Sequence, residues 1–420
     1  MRRYATWIRR LPIRLLLVLA LVGVSGLAAL TNGFDLFFRL TYTLVLVLAA
    51  SFLWSRLSVM GLQAQVEGGM ARSQVGQTIS ERITVSNLVP LPKFFLEVQQ
   101  LSDLPSRQTG RVVNLAARGS QSWYNDIVCW QRGRYTLGPI RVVSGDPFGL
   151  FLREVLVGTT HTLVVYPATV PLPRFNMSPA ELPGEGRHRR RTQFLTPNAA
   201  GIRQYVHGDS FNRIHWPSTA RTGDLMVKEF ELDPASDFWV ILDLDRRVQA
   251  GHGQESTEEY GVTIAASIMQ HYLELNRAVG LVAYGREYLA LKPDRGGQQL
   301  VQALELLAVA SAQGTTSLAE LLASEGKRFG RYTTAIIVTA STEEHWVYEI
   351  QHVLRRGAQV AVVLLEPGTF GGRNHTLMTV SSLLAFGVPT YLVKQGERLE
   401  HALSVQGQQA ARASAGSHGG

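Results

Sequence analysis

Residues 238–244 read FWVILDL and are apolar except for Asp243. A run this short and apolar is typical of a strand buried on both faces of a sheet. Because strands that alternate with helices form parallel sheets with right-handed crossovers, the pattern predicts a doubly wound, mainly parallel α/β domain over residues 237–403. Similar runs occupy residues 278–284, 333–339, 360–365 and 389–393, and helical spacing occupies residues 255–276, 298–310, 343–356 and 377–385.

Residues 58–170 have a different periodicity, in which apolar and polar residues alternate over short runs between turn residues. This pattern predicts a β-sandwich-like module. The phrases RGRYTLGP (132–139) and DPFGLF (146–151) are interpreted as turns, with Phe148, Leu150 and Phe151 anchored in the core. Cys129 is the single cysteine and lies in a strand-like run, so we interpret it as a core residue.

Residues 1–57 contain two apolar stretches, 15–30 and 40–54, which predict a transmembrane hairpin. Each is slightly shorter than the roughly 20 residues that span a bilayer, but flanking residues at the interface extend them. Arginines precede the first stretch and follow the second, so the positive-inside rule places both ends in the cytoplasm. The prediction is a multi-pass inner-membrane protein with its bulk in the cytoplasm. A cleaved signal peptide followed by a stop-transfer helix is the alternative, and it gives the same orientation.

The formal net charge is +8, from 41 Lys and Arg against 33 Asp and Glu. The N-terminal arginines and a basic run at residues 187–191 account for much of this surplus, so no nucleic-acid partner is predicted. Residues 171–200 are rich in proline, glycine and charge and are expected to form a basic loop. Residues 404–420 have the composition of a disordered tail.

Residues 201–236 contain the most distinctive polar segment, whose first part reads GIRQYVHGDSFNRIHWPSTAR. It resembles the signature of the domain-of-unknown-function family 58, R-x-Y-x-x-G-D-x-x-R-x-I-x-W-x-x-[ST]-A-R. The resemblance implies a bacterial membrane protein with a von Willebrand factor A-like domain that associates with a MoxR-type AAA+ ATPase. The matching residues are Arg203, Tyr205, Gly208, Asp209, Arg213, Ile214, Trp216, Thr219, Ala220 and Arg221.

This signature segment has a structural interpretation and an interaction interpretation. In the first, Ile214 and Trp216 bury against the α/β sheet, and Asp209 pairs with an arginine of the segment, Arg213 or Arg221. In the second, the same arginine-bearing surface also docks a protein partner. In both interpretations the segment is fixed to the α/β domain by its buried side chains, and we call it a clasp in this sense.

The resemblance to von Willebrand factor A domains raises the question of a metal site. Their D-x-S-x-S motif supplies oxygen ligands for magnesium, whereas this chain has Asp243, Asp245 and Arg247 at that position and Thr339 where a further aspartate is common. Since a guanidinium cannot ligate a cation, we predict a degenerate site around Asp243, Asp245 and Thr339, with no metal and no cofactor. Arg246, Arg247 or backbone donors are expected to hold the two aspartates.

The remaining motifs do not favour catalysis. His207, Asp209 and His215 match no strong metal motif, and neither a G-x-S-x-G elbow nor a phosphate-binding P-loop occurs. The prediction is therefore a membrane-bound scaffold or adaptor and not an enzyme. The resemblance to family 58 implies that it works with a MoxR-type AAA+ ATPase in protein assembly or maturation. Two alternatives stay open: a hydrolase-like enzyme that uses these three residues, and an envelope ligand-binding module with the opposite topology.

Overall fold

The computed structural model describes residues 13–105, 110–175, 199–206, 214–230 and 237–404. The chain divides into two compact units, residues 1–167 and residues 168–420.

The first unit begins with two apolar helices, α1 (Ile13–Asn32) and α2 (Asp35–Val59). Both are long and apolar enough to cross a membrane. They extend the two predicted apolar runs by several residues at their ends, which brings each to the roughly 20 residues that a span requires. Thr41 donates a hydrogen bond from its hydroxyl to the Ser25 hydroxyl at 3.0 Å and so joins the two helices.

Nine strands follow the helices and form two sheets. One sheet has the order β1-β3-β6, and the other has the order β2-β9-β7-β4-β5 with β8 paired to β7. Ile83 and Val85 of the first sheet share a hydrophobic cluster with Leu96, Val98 and Ile140 of the second. The strands are β1 (Leu62–Glu67), β2 (Arg72–Gln74), β3 (Thr78–Asn87), β4 (Lys93–Ser102), β5 (Arg111–Leu115), β6 (Ser120–Val128), β7 (Gly133–Gly145), β8 (Leu152–Val157) and β9 (His161–Tyr166).

The DPFGLF phrase forms a turn at the end of β7. The Asp146 carboxylate accepts hydrogen bonds from the backbone N–H groups of Phe148 at 3.0 Å and Phe151 at 2.6 Å. Leu150 is buried, as the sequence predicted, but Phe148 is 61% exposed, so its predicted place in the core is wrong. The turn fixes the Phe148 backbone against Asp146, and its ring remains in solvent. Cys129 is buried, in agreement with its interpretation as a core residue.

The described part of the second unit combines two small two-stranded sheets, β10-β11 and β13-β14, with a six-stranded mixed sheet of order β16-β15-β12-β17-β18-β19. Strands β15, β12, β17, β18 and β19 are parallel, and β16 pairs antiparallel at one edge. The strands are β10 (Ala199–Gln204), β11 (Met226–Phe230), β12 (Asp237–Asp243), β13 (Gly251–His252), β14 (Glu255–Ser256), β15 (Val279–Tyr284), β16 (Tyr288–Asp294), β17 (Thr333–Thr339), β18 (Gln359–Leu365) and β19 (Thr390–Val393). The helices are α3 (Trp216–Thr222), α4 (Thr257–Glu274), α5 (Gly297–Val309), α6 (Leu318–Glu325), α7 (His345–Arg355), α8 (Leu377–Ala385) and α9 (Leu399–Ala402).

The central strand β12 is covered on both faces, as its apolar run predicts. The Phe238 ring stacks on Tyr272 of α4 with 4.1 Å between ring centroids. The next residue, Trp239, packs instead on Phe329 at 5.8 Å. Because successive strand residues point to opposite faces, these two contacts place packing partners on both sides of the sheet.

Candidate functional site

The carboxyl ends of the neighbouring strands β12 and β17 bring Asp243 and Thr339 together. The Thr339 hydroxyl donates a hydrogen bond to Asp243 Oδ2 at 2.6 Å, and the Asp245 backbone N–H donates to Asp243 Oδ1 at 3.0 Å. The Ser341 backbone N–H in turn donates to the Thr339 hydroxyl at 2.9 Å. Both oxygens of the Asp243 carboxyl group are therefore engaged by neighbouring residues of the chain.

Asp243 is buried, and this burial raises the pKa of its carboxyl group to about 6. The hydrogen bonds from Thr339 and from the Asp245 backbone act in the opposite direction, and the nearby charges of Asp245 and Glu343 raise the pKa further. This carboxyl group therefore titrates near pH 6, above the range of an exposed aspartate.

Asp245 is held by Arg247, as the sequence predicted for one of the two arginines. Arg247 Nη2 lies 2.6 Å from Asp245 Oδ2, and Nε lies 3.0 Å from each carboxylate oxygen. The same Nη2 also donates to the Thr315 carbonyl oxygen at 3.1 Å. The guanidinium thus covers the carboxylate face that a cation would use, and a guanidinium cannot itself ligate a metal. Within the described ranges, His, Cys, Asp and Glu side chains form no group of three or more that could hold a metal ion.

A crevice of about 170 Å³ opens beside this pair. It is lined by charged groups of both signs, among them Arg247, Glu343 and Arg373, together with Asn374. Such a crevice lies where open α/β sheets bind ligands, outside the carboxyl ends of their strands.

The described part of the signature segment folds around the pair β10 and β11. The Tyr205 backbone N–H donates to the Leu225 carbonyl at 2.7 Å, and the His215 N–H donates to the Met226 carbonyl at 2.8 Å. Ile214 forms an isolated bridge with Val227, and both side chains are buried. Ile214 is therefore buried, as predicted, but its bridge partner belongs to the small sheet of β10 and β11 and not to the six-stranded sheet.

Trp216 is 65% exposed, so its predicted burial against the sheet is wrong. It is the first residue of the seven-residue helix α3, which has no buried residue, and the helix therefore offers no core for the indole. Arg221 lies exposed in the last turn of α3, where a cation is favourable beside the carbonyl ends of the helix.

The other signature residues are placed only in part. Arg203 lies on β10 opposite Val227 of β11, and Tyr205 follows the end of β10 and is half-buried. His207, Gly208, Asp209 and Arg213 lie outside the described residues, and so do the pairing predicted for Asp209 and two members of the His207, Asp209 and His215 group.

Two further features of this segment were not predicted. His215 Nδ1 lies 2.8 Å from the Ser218 hydroxyl, because the two residues are three apart at the start of α3. Val206 and Leu225 are 63% and 39% exposed. Leu225 accepts the backbone hydrogen bond of Tyr205, which precedes Val206, and the next residue, Met226, accepts that of His215, which precedes Trp216. The signal in the sequence for these exposed apolar side chains was the presence of apolar residues beside an otherwise polar motif.

The chain is similar to several known proteins. The Uncharacterized protein YeaD of Bacillus subtilis (strain 168) is 24% identical over 362 residues, which cover 84% of this chain and 87% of that protein. The CARDB domain of PF1109 from Pyrococcus furiosus is 15% identical, with a TM-score of 0.20 over 25% of this chain and 94% of that one. Proximal thread matrix protein 1 from the mussel byssus is 10% identical, with a TM-score of 0.31 over 41% of this chain and 47% of that one.

These two structural likenesses are too low to bear on function. The match to a family model includes the signature segment and extends well beyond it. Residues 201–369, from the signature segment to the end of β18 and just beyond, match the family described as Protein of unknown function DUF58.

Proposed function

We propose that this chain is a membrane-anchored, cytoplasm-facing adaptor without catalytic activity, which works with a MoxR-type AAA+ ATPase in protein assembly or maturation. The apolar helices α1 and α2 support the anchor. The arginines before α1 and Arg56 near the end of α2 support the cytoplasmic orientation. The parallel strands with intervening helices support a von Willebrand factor A-like fold for the second unit.

The observation that carries the docking role is the exposure of Trp216. Tryptophan and arginine are the residues most enriched at the energetic centres of protein interfaces. We assign the exposed groups of this segment to one docking patch: Val206, Trp216, Arg221 and Leu225. An apolar centre with an arginine at its border is the composition expected of such an interface.

The residues at the carboxyl ends of β12 and β17 support the same proposal in a second way. Asp245 is already paired with Arg247, and Asp243 is already bonded to Thr339. Partner recognition by this unit therefore proceeds, in our proposal, through protein surface and not through a bridging metal ion.

Binding of the full chain to a purified MoxR-type AAA+ ATPase from the same genome tests this proposal. The full chain is solubilised in mild detergent, and the affinity is measured with and without a slowly hydrolysed ATP analogue. We expect nucleotide-dependent binding that Trp216→Ala weakens by at least about 30-fold, since truncation of an interface tryptophan costs about 2 kcal/mol or more.

Tyr348→Ala is the matched control, because Tyr348 is a 56% exposed aromatic residue on α7, outside the docking patch. Equal affinity of the parent and Trp216→Ala would remove the docking patch from the proposal. Absence of binding in every nucleotide state would remove the ATPase partnership. Periplasmic activity of a reporter fused at the C-terminus would contradict the orientation and favour an envelope ligand-binding module.

A hydrolase is the second candidate, favoured by the hydrogen bond between His215 and Ser218. A histidine within 2.8 Å of a hydroxyl can accept its proton and activate it as a nucleophile. A fluorophosphonate probe tests this directly. Labelling of the parent that is lost in Ser218→Ala, with unchanged circular dichroism, would establish a reactive serine, whereas an unlabelled parent would exclude this role for Ser218.

A further inference from the structure

One edge of the β-strand region lies beside the end of α2. Lys93 is buried at the start of β4, and its ammonium group donates a hydrogen bond to the carbonyl oxygen of Leu57, in the last turn of α2. The Leu88 backbone N–H donates to the Gly61 carbonyl at 2.9 Å, two residues beyond the helix end. The segment between β3 and β4 is therefore fixed at the level where α2 leaves its apolar stretch.

Large apolar side chains of this edge point into solvent. The β3–β4 connection and the first residues of β4 contribute Leu88 (62% exposed), Leu91 (44%), Phe94 (44%) and Phe95 (75%). Phe148, on the turn after β7, is 61% exposed. The two groups lie at the same edge, because Glu97 of β4 pairs with Val143 near the end of β7. We call these five residues the apolar rim.

The backbone around Phe95 is shaped to keep the aromatic rings outside. Phe95 has a φ of 53°, a left-handed conformation that is unfavourable for an aromatic residue. An irregularity in the β4–β5 register lies between Lys93 and Leu96, so the adjacent Phe94 and Phe95 are both exposed instead of alternating. The Phe95 N–H is bonded to the Asn114 side-chain oxygen at 2.8 Å, which stabilises this arrangement. A strained backbone that holds two rings in solvent indicates that something else contacts them.

Basic side chains accompany the rim. Arg56 and Arg153 lie over the ring of Phe52 on α2, at 5.4 and 5.8 Å from its centroid. The Arg14 guanidinium, in the first turn of α1, approaches the turn at Gly149, beside Phe148. Because α1 and α2 form a hairpin, the start of α1 and the end of α2 lie on the same side. Apolar groups next to cations are the combination that suits an anionic lipid interface.

We infer that the apolar rim inserts into the lipid interface of the membrane in which α1 and α2 are anchored, with the nearby arginines against anionic headgroups. This inference rests on the anchoring part of the proposed function. The 25 residues of α2 give a helix of about 37 Å, longer than the roughly 30 Å hydrocarbon core, so its last turns reach the interface. Lys93 fixes the start of β4 to the last turn of α2, and Leu88 fixes the β3–β4 connection to Gly61 just beyond the helix, so these contacts hold the rim at headgroup depth.

Spin labels in proteoliposomes test this inference. The full chain is reconstituted in phosphatidylethanolamine and phosphatidylglycerol, with a nitroxide at Phe95→Cys, Leu46→Cys or Trp130→Cys in separate samples. Leu46 is an exposed residue in the middle of α2, and Trp130 is 54% exposed just after β6. Trp130 lies at the opposite end of the first sheet, since Val128 pairs with Thr78 whereas Ser120 pairs with Ser86 near Leu88. The parent chain, whose Cys129 is buried, measures background labelling.

We expect the labels at Leu46 and Phe95 to relax faster with oxygen than with a water-soluble nickel chelate, and the label at Trp130 to show the reverse. A Phe95 label as accessible to the chelate as the Trp130 label, with Leu46 protected, would overturn the rim and leave the anchor intact. A chelate-accessible Leu46 label would overturn the anchor itself. Phe148→Cys repeats the test on the second loop, and a water-exposed label there would restrict the inserted surface to the β3–β4 segment.

Discussion

The carboxyl end of the six-stranded sheet and the signature segment, both in the second unit, differ in whether their side chains have partners within the chain. At the sheet edge, Asp243, Asp245 and Thr339 bond to one another, to Arg247 and to the backbone. In the signature segment, Trp216 remains 65% exposed on a helix without buried residues. The carboxylates that could act as ligands are already bonded within the chain. Trp216, which was interpreted as part of the clasp, is exposed to solvent.

Residue type alone therefore does not show which side chains are available to a ligand or a partner. A carboxylate is available to a ligand only when its own chain does not supply the counter-charge, and here Arg247 supplies it. An aromatic residue is part of the core only when a neighbouring element covers it. Substitutions of buried, hydrogen-bonded, ion-paired and exposed side chains test this contrast.

Replacement of Trp346 and of Trp216 by alanine should give the largest difference in the free energy of unfolding between a core and a surface residue. Trp346 on α7 is fully buried, so Trp346→Ala should lower the free energy of unfolding by about 3–5 kcal/mol. Trp216→Ala should change it by less than about 0.5 kcal/mol, because the indole is mostly exposed. Urea unfolding of the full chain in detergent measures both, and equal losses would show that Trp216 is packed after all.

The raised pKa of Asp243 predicts a pH dependence of stability. Its folded pKa of about 6 lies above the usual aspartate value of 3.8, so the folded state binds the proton more tightly than the unfolded state. The contribution is fully present below about pH 4, is lost as the pH rises through 6, and amounts to about 3 kcal/mol. Unfolding of the parent and of Asp243→Asn between pH 4 and pH 8 measures it, and parallel curves would contradict the shift.

Removal of the Thr339 hydroxyl tests how much its hydrogen bond to Asp243 stabilises the folded protein. Thr339→Val keeps the side-chain volume but deprives Asp243 Oδ2 of its 2.6 Å hydrogen bond. We expect a loss of about 1–2 kcal/mol in the free energy of unfolding, since a buried carboxyl oxygen loses its donor. Thr339→Ser retains the hydroxyl and is the control; a loss as large as that of Thr339→Val would point to packing instead.

Arg247 explains the expected lack of magnesium affinity, and its replacement gives the smallest effect. In the parent, the guanidinium occupies the Asp245 carboxylate, and we expect no magnesium binding in calorimetric titration. Arg247→Ser frees that carboxylate and adds a hydroxyl, so weak binding with a dissociation constant of about 0.1–1 mM is expected. Arg246→Ser is the matched control. Tight binding by the parent itself would show that Arg247 does not close the site.

Much of the α/β unit was predictable because its elements are long and strongly patterned. The predicted runs at residues 333–339 and 377–385 coincide with β17 and α8. Strand β16 was not predicted, because its half-exposed edge position leaves no continuous apolar run and its Pro293 argues against a central strand. Helix α6 was also missed, although Ser317 and Glu320 form a capping box that marks its start.

The sequence by itself determined the apolar helices, the period-two alternation of the first unit and the succession of strands and helices in the second, because these depend on local periodicity. It also brought Asp243 and Thr339 together, since the ends of neighbouring parallel strands meet at one edge. Only the tertiary structure decided that Trp216 and Phe148 are exposed and which of the two arginines closes onto Asp245. Exposure and ion pairing depend on which element covers a side chain in space, and the local pattern does not contain that information.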